Sequence, residues 1–477
     1  MPVCGFTTLE LRTYLVLSLC WLSIVQVNLL EQPYARSLVT CDTPVNTTEG
    51  APFSGSRFCG DRLHVINVGA EISGVGQSLE NVGRILICLF VSGWADRGRR
   101  RAAILGQSLI LLSTVLFFLA GFASSLALPL YAVAQGLQGM SGIGILDQIV
   151  TGDVALRNGD SVGVYRRKGM FVMCMGIVFA PLVGYVQFAE FSDFTWIWLA
   201  VNLLNLTALG LLAAVFPETL QAEPAEEVGL MRTVVKELRT FRDLVKSNLF
   251  VRYRLADNVA AGMCDATSII FPFLMAHFGF SQFQALVVCA GPALLLGPVF
   301  FQLVPYLHKR MGYRQASLLC FWVNKLVTLW FLAGLPGLGN HPMLMKFWSV
   351  PGPIAMALSL LPLNGWPTIL AAIEIRLVGQ ANNAKYQAIN QLTGFACGFA
   401  SSFVYSRLFD AEATTTAGKV LPYYFSCAWL LVQLLLFCCG SLEPMLLECD
   451  KITSEEAEEL VKAEAAPAVE AESKKVQ

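Results

Sequence analysis

Between two long apolar segments, the chain reads Ser92-Gly93-Trp94-Ala95-Asp96-Arg97-Gly98-Arg99-Arg100-Arg101, a stretch that contains four arginines. The second half of the chain has a shorter basic turn with a glycine at the corresponding place, Leu307-His308-Lys309-Arg310-Met311-Gly312-Tyr313-Arg314. A turn that recurs in this way indicates an internal duplication. The sequence therefore predicts two related halves.

The composition is that of a membrane protein. Of the 477 residues, 55% are hydrophobic and only 14% are charged, and the mean hydropathy is +0.59, whereas a soluble domain carries about 25% charged residues. Apolar segments of about 20 residues, long enough to cross a bilayer, recur along the chain. Each must be helical, because lipid offers the backbone no hydrogen-bond partner. This excludes an ordinary soluble enzyme and predicts an all-α polytopic membrane protein.

We predict twelve transmembrane helices in two pseudo-symmetric bundles of six. Their approximate bounds are 11–30, 70–92, 103–123, 127–148, 169–188, 194–216, 255–278, 283–304, 317–335, 347–370, 387–407 and 421–440. The first span is expected to be retained, with a cleaved signal peptide as the alternative.

The predicted organisation has five parts. They are an N-terminus (1–10), an N-terminal bundle (11–216) with an outer loop (31–69), a central loop (217–254), a C-terminal bundle (255–440) and a tail (441–477). The tail is rich in Glu, Ala and Lys without apolar periodicity, and we expect it to be acidic and disordered.

The central loop contains a predicted amphipathic helix. Its apolar residues recur at three- and four-residue steps, and they are Met231, Val234, Leu238, Phe241 and Val245. Basic residues occupy the other face. Such a helix beside a membrane is expected to lie on anionic lipid, and a calmodulin-like partner is the alternative.

The distribution of lysine and arginine predicts the orientation. The loops after the even-numbered spans carry 20 of these residues and the opposite loops carry 6. Because positively charged loops stay in the cytoplasm, both termini are expected there.

The outer loop has extracellular features. Asn46-Thr47-Thr48 is an acceptor sequence for N-glycosylation. Cys41 and Cys59 lie in the same loop and are expected to form a disulfide in an oxidising compartment, although two free thiols remain the alternative. These features fit the plasma membrane and the endosomal or lysosomal membrane equally.

Signals of enzymatic chemistry are poor. The four histidines have no metal-ligand spacing, and no nucleophile motif or phosphate-binding glycine loop appears. We therefore expect no enzyme, no metal, no cofactor and no nucleic-acid partner. The sequence also has no ATP-binding domain, so active transport would have to draw on an ion gradient.

Charged residues inside predicted spans are the candidates for coupling, because such residues are costly in a membrane and often functional. Glu80 and Arg84 stand one helical turn apart, where they could form a proton switch or a fixed structural ion pair. Asp265 lies midway along the seventh span without a charged partner within one turn, which suits it to carry a proton or to meet a cationic solute. Asp257 is expected to be solvated, and Lys325 to pair with an acid or to snorkel.

Amides and one tryptophan in the spans are candidates to line a substrate cavity. They are Gln26, Gln135, Gln138, Asn364, Trp366 and Asn390, with Gln391 beside the last. Bonds between helices are the alternative role of the amides.

The basic stretch resembles the loop motif of the major facilitator superfamily, Gly-x-Leu-Ala-Asp-Arg-x-Gly-Arg-Arg/Lys. Trp94-Ala95-Asp96-Arg97 fits it, but Gly98 follows Arg97 directly, so the register departs from the family pattern. The resemblance implies that a gate is latched by charge pairs of Asp96, Arg97, Arg100 and Arg101. Anchoring of the topology is the alternative role of these arginines.

Two further segments bear on the subfamily. Gly176-Ile177-Val178-Phe179-Ala180-Pro181-Leu182-Val183-Gly184 resembles a motif of drug:proton antiporters, although a purely structural role explains it equally well. Gln135 stands where many relatives have an arginine, which weakens a coupling scheme taken from them. The chain also resembles the tetracycline-resistance-like and proton-coupled folate-carrier-like groups of this superfamily.

Taken together, these features predict a monomeric secondary transporter that moves a small organic solute by alternating access. Halves related by an axis along the membrane normal are one known transporter plan. Protons are the expected coupling ion, although another ion is open, and antiport is favoured over symport. The alternatives are a facilitative uniporter and a non-transporting sensor or scaffold on the same fold.

Overall fold

The structure is a computed structural model. It describes residues 7–39, 61–88, 98–122, 125–158, 194–219, 241–281 and 380–439, with isolated residues between these stretches. The N-terminal half contains helices α1 (Thr8–Ser37), α2 (Arg62–Cys88), α3 (Arg99–Ala120), α4 (Ala127–Gly139), α5 (Ile143–Asn158) and α6 (Phe194–Ala214). The C-terminal half contains α7 (Leu249–Cys264), α8 (Thr267–His277), α9 (Gln380–Leu408) and α10 (Thr416–Cys439).

The described helices fit a membrane protein. Five helical segments are long and apolar enough to span a bilayer: α1, α3, α6, the pair α7–α8, and most of α10. Leucines on the outside of these helices are exposed, for example Leu203 on α6 at 58%, as expected where a helix faces lipid. The predicted count of twelve spans stays a prediction, because several spans lie outside the described residues.

The helices run between two ends of the bundle. We call them the Arg62 end, where α1 and α8 finish and α2 begins, and the Arg99 end, where α2 finishes and α3 begins. The sequence prediction places the Arg62 end outside the cell and the Arg99 end in the cytoplasm.

The first predicted span is too short at both ends. Helix α1 begins after Thr7, which forms a capping box with Glu10, and it continues through Pro33 to Ser37. Arg36, which the orientation count assigned to a loop, is 2% exposed inside this helix. Together with the start of α2 at Arg62, this shortens the predicted outer loop of 31–69.

Two predicted spans are broken rather than continuous. The fourth span divides into α4 and α5 around Gly142, whose φ of 61° is easily adopted only by a residue without a Cβ atom. The seventh span divides into α7 and α8 at Asp265, whose backbone is extended.

The core of the N-terminal half holds an aromatic cluster near the Arg62 end. Tyr34, Phe117, Tyr131 and Trp198 are each at most 2% exposed, and the rings of Phe117 and Trp198 stack with centroids 4.8 Å apart. The hydroxyl group of Tyr34 donates to the backbone carbonyl of Phe117. This cluster fixes α1 against α3, α4 and α6.

The last part of the central loop packs on protein. Residues 241–247 are helical, Leu244 is buried, and Phe241 and Val245 pack on a core that includes Phe250 and Tyr386 of the C-terminal half. In this part of the predicted amphipathic helix the apolar side faces protein, in contrast to the predicted contact with lipid. The apolar positions before residue 239 lie outside the described residues.

Candidate functional site

The two halves meet mainly along α2 and α9, which share the most extensive contact of any two described helices. Small residues allow the close approach. A Cβ atom added to Gly74 would strike Ser406, and one added to Gly398 would lie 3.0 Å from the amide group of Asn81. Ser78 bonds across the interface to the carbonyl of Phe399 at 3.2 Å.

Polar contacts join the halves at the Arg62 end. Arg62 donates to the carbonyl of Phe280 at 2.9 Å, just beyond the C-terminus of α8. Gln32 donates to the carbonyl of Ser268 at 2.6 Å. The guanidinium of Arg36 contacts the sulfur of Met275. The N-terminal half therefore holds α8 from two of its helices.

Glu80 and Arg84 form an ion pair at this interface, as their spacing predicts. The side chain of Glu80 is 7% exposed and that of Arg84 is 34% exposed. The guanidinium of Arg84 also lies 5.5 Å from the centre of the Phe395 ring on α9, a distance at which a cation is attracted to an aromatic face. One side chain thus touches the buried carboxylate and the other half of the molecule.

Glu31 is not among the predicted site residues, because the sequence places it in the outer loop. It lies inside α1, is 3% exposed, and accepts hydrogen bonds from Ser73 at 3.3 Å and from Tyr131 at 3.4 Å. Glu80 and Arg84 are close enough to act on it electrostatically. The capping box at Thr7 is a sequence signal only for the start of α1; the continuation of the helix through Glu31 depends on tertiary contacts.

Asp265 lies at the break between α7 and α8, and its side chain is exposed. Two carbonyls freed by the break accept side-chain hydrogen bonds: that of Met263 from Tyr405 at 2.8 Å, and that of Cys264 from Ser426 at 2.5 Å. These bonds satisfy the interrupted backbone, as a break within a membrane helix requires. The prediction that Asp265 sits within a continuous helix is therefore wrong.

The described amides mainly tie helices together. Gln138 on α4 donates to Asn28 on α1 at 2.6 Å, and Asn258 on α7 donates to Asn390 on α9 at 2.5 Å. Gln135 donates to Tyr131 one turn away at 3.2 Å. Gln26 is buried. Asn364 and Trp366 lie outside the described residues, as do Asn46, Cys41 and Cys59.

The basic stretch makes its described contacts within the N-terminal half. Arg99, which is not among the predicted gate residues, pairs with Asp153 on α5 at 2.9 Å. The carboxylate of Glu218 accepts from the backbone amides of Arg99 and Arg100 at 2.9 and 3.2 Å. A carboxylate at this place suits the positive end of α3.

Of the four predicted gate residues, the structure describes Arg100 and Arg101. The side chain of Arg100 donates to the carbonyl of Ala213. Arg101 lies in the first turn of α3 and packs beside Gly98. Asp96 and Arg97 lie outside the described residues.

The C-terminal half contains its own buried charges. Asp257 is 2% exposed, pairs with Arg254 and accepts from Gln433 at 2.7 Å. The prediction that Asp257 is solvated is therefore wrong. Lys325 is 6% exposed and lies 5.6 Å from the centre of the Phe321 ring. Within the described residues, no cluster of His, Cys, Asp or Glu could hold a metal ion.

No family model matches the sequence, and no curated protein matches it. Solved structures do match. A D-xylose–proton symporter has a TM-score of 0.61 at 15% identity over 92% of this chain and 99% of its own. The peptide transporter POT has a TM-score of 0.62 at 14% identity over 94% and 97%. The human organic anion transporter MFSD10 has a TM-score of 0.57 at 13% identity over 90% and 100%.

These similarities show the fold. The chain has the all-helical fold of these three transporters, along nearly the whole length of both partners in each comparison. At such low identity, the activities named for these proteins are properties of those proteins.

Proposed function

We propose that this chain is a secondary transporter that moves a small organic solute across a membrane by alternating access, with protons as the coupling ion. One observation carries the proposal: Arg84 pairs with the buried carboxylate of Glu80 and also lies against Phe395 of the other half. The fold supports it, because transporters with this fold include one named as a proton symporter.

The pair can link a proton to the movement of the halves. Separation of α9 from α2 removes Phe395 from Arg84 and admits water around the guanidinium. Because water weakens the attraction between two charges, the pair can then open and Glu80 can take up a proton from water. Closure restores the pair and releases the proton. Each cycle would carry one proton at this position.

Asp265 is the second proposed carrier. Its exposed carboxylate follows the C-terminus of α7, where freed backbone carbonyls are already bonded to Tyr405 and Ser426. The carboxylate is thus presented on a defined backbone rather than on a mobile loop. It suits a proton or the cationic group of a solute.

A facilitative uniporter is the second candidate. Gln135 stands where the superfamily often has a basic residue linked to proton coupling, and in this structure it bonds to Tyr131 instead. Without a charge there, solute movement would not have to be tied to a proton.

Proton movement in vesicles containing the purified protein tests the proposal. A trapped pH dye is read while pools of metabolites and amphipathic drugs are added to the wild type and to a Glu80→Gln, Asp265→Asn double variant. Glu71→Gln is the matched control, because Glu71 is on the same helix but its side chain is 41% exposed and its ion pair with Arg407 is at the surface, where such a pair contributes little.

We expect solute-dependent proton flux in the wild type and the control, and its loss in the double variant. The direction of the flux separates antiport from symport. Tracer exchange without proton flux would replace the proposal with a uniporter. Thermal stabilisation by ligands without any exchange would replace it with a sensor or scaffold.

We also propose that the basic stretch latches a gate at the Arg99 end. The pairing of Arg99 with Asp153 and the capping of α3 by Glu218 support this role, because they join α3, α5 and the segment after α6 at one place. Asp96→Asn should lower solute flux without changing the amount of inserted protein. Unchanged flux would reduce the stretch to an anchor of topology.

A further inference from the structure

We propose that Glu31 is a proton-binding residue, and that Glu31 and Glu80 together share the single guanidinium of Arg84. This inference rests on the proposed function, because it names a residue that would hold the coupling proton. It starts from a carboxylate that is buried in the centre of the N-terminal half and that no other part of the proposed mechanism uses.

The hydrogen bonds around Glu31 are directed toward it. Ser73 from α2 and Tyr131 from α4 both donate to the same carboxylate oxygen, at 3.3 and 3.4 Å. Gln135 donates to the oxygen of Tyr131 at 3.2 Å, which leaves the phenolic hydrogen for Glu31. Three helices therefore converge on one carboxyl group.

Glycine makes room for this arrangement. A Cβ atom on Gly76 of α2 would lie 2.7 Å from the hydroxyl oxygen of Tyr131. Ser73, Gly76 and Glu80 recur at three- and four-residue steps, so they share one face of α2. The face that carries Glu80 is thus the face that meets Glu31 and Tyr131.

The charges in this region do not balance. Glu31, Glu80 and Arg84 supply two carboxylates and one guanidinium, and the guanidinium is paired with Glu80. A second ionised carboxylate at 3% exposure would be an unpaired buried charge, which costs several kcal/mol. A proton on Glu31 removes that charge.

No further charge from the neighbouring helices reaches this region in the described residues. Helix α6 carries no charged residue, and the charges of α3 are confined to its first turn at the Arg99 end. Asp147 on α5 bonds to Trp21 at 3.1 Å, about 15 Å along α1 from Glu31. On α1 itself, Arg36 is buried five residues after Glu31, but its guanidinium is directed to Met275 on α8. The facing titratable groups are therefore Glu80 and Arg84 on α2 and Tyr131 on α4.

Arg84 connects this proton to the movement of the halves. In the structure it is held between Glu80 and the Phe395 ring of α9. When α9 moves, Arg84 can shift from Glu80 to Glu31. Glu31 then releases its proton to water as the guanidinium pairs with it, and Glu80, which Arg84 leaves, takes up one proton from water. When Arg84 returns, Glu80 releases that proton and Glu31 takes one up, so one carboxyl group is protonated in either arrangement.

Infrared spectroscopy tests the proposal without a solute. The purified protein is examined at neutral pH for the carbonyl stretch of a protonated carboxyl group, identified by its shift in D₂O. We expect this band in the wild type and in Glu71→Gln, and its loss in Glu31→Gln. A wild type without the band, or a Glu31→Gln variant that retains it, would overturn the proposal.

A second variant covers the case in which Glu31→Gln does not fold. Tyr131→Phe keeps the ring in its aromatic cluster but removes one donor to Glu31, so the band should move to higher frequency. An unmoved band would also overturn the proposal. These infrared measurements do not depend on transport. If the band behaves as expected but the vesicles show no solute flux, the proposed transport function is rejected and the proposal about Glu31 stands.

Discussion

Gly139 lies where α4 crosses α2, and its replacement by alanine should separate the two helices. A Cβ atom there would clash with the backbone carbonyl group of Glu80, with its carbon only 2.7 Å away, and would lie 3.0 Å from the backbone nitrogen of Arg84. These atoms are backbone, so no rotation of a side chain relieves the contact. The substitution therefore forces a shift of a whole helix.

The expected cost can be set against a nearby control. Overpacking of a closely packed contact costs about 1–3 kcal/mol and occasionally more. Gly136 is one turn away on α4 and has nothing within 4 Å of its added Cβ atom, so Gly136→Ala should gain roughly 0.5–1 kcal/mol from helix propensity. We expect the two variants to differ by about 1.5–4 kcal/mol in the free energy of unfolding.

This difference is measured by unfolding both variants in detergent, once with heat and once with a denaturant. Gly210→Ala on α6 is a second control, because its added Cβ atom also meets nothing within 4 Å. A Gly139→Ala variant as stable as Gly136→Ala would refute the close approach of α2 and α4. Because the clash is with Glu80 and Arg84, proton flux should also fall in Gly139→Ala and not in Gly136→Ala.

Two other perturbations follow from single contacts. Asp153→Asn removes the charge that pairs with Arg99 and should lower the free energy of unfolding, measured by heating, by about 1–2 kcal/mol. Asp243→Asn, the control, changes an exposed pair and should alter stability by less than about 0.5 kcal/mol. Equal effects of the two substitutions would show that the pair of Arg99 and Asp153 has no structural role. Arg62→Gln removes the hydrogen bond to the carbonyl of Phe280, which is worth about 1 kcal/mol. Amide hydrogen exchange in the last turn of α8 should therefore become roughly fivefold faster. An unchanged exchange rate would show that this bond does not hold the two halves together.

Local patterns in the sequence predict the features that depend on residues close to one another along the chain. The spacing of Glu80 and Arg84 was sufficient to predict their pair, because residues four apart share a helix face. The apolar segments and the repeated basic turn were sufficient for the all-helical fold. The structural comparisons confirm that fold.

Features that depend on distant contacts could not be predicted. The pairing of Arg99 with Asp153 joins residues 54 positions apart, and its charges fit a solvated loop equally well. Glu31 was assigned to a loop because a carboxylate and Pro33 end the apolar run, although tertiary contacts continue the helix. Gly142 and Asp265 interrupt apolar segments that the sequence predicts to be continuous helices. A single glycine or aspartate in a long apolar segment does not by itself predict a break, because helix propensity tolerates one such residue.

Residues 241–247 pack on the C-terminal half, and this determines which part of the chain links the two halves. Because this segment is fixed to the C-terminal half, the tether between the halves shortens to residues 220–240, whose contour length is at most about 70 Å. The described contact between α2 and α9 joins the halves, so the chain within 220–240 has no need to be continuous. A chain cut within 220–240 and produced as two fragments should reassemble through the α2–α9 contact, with residues 241–247 retained on the second fragment.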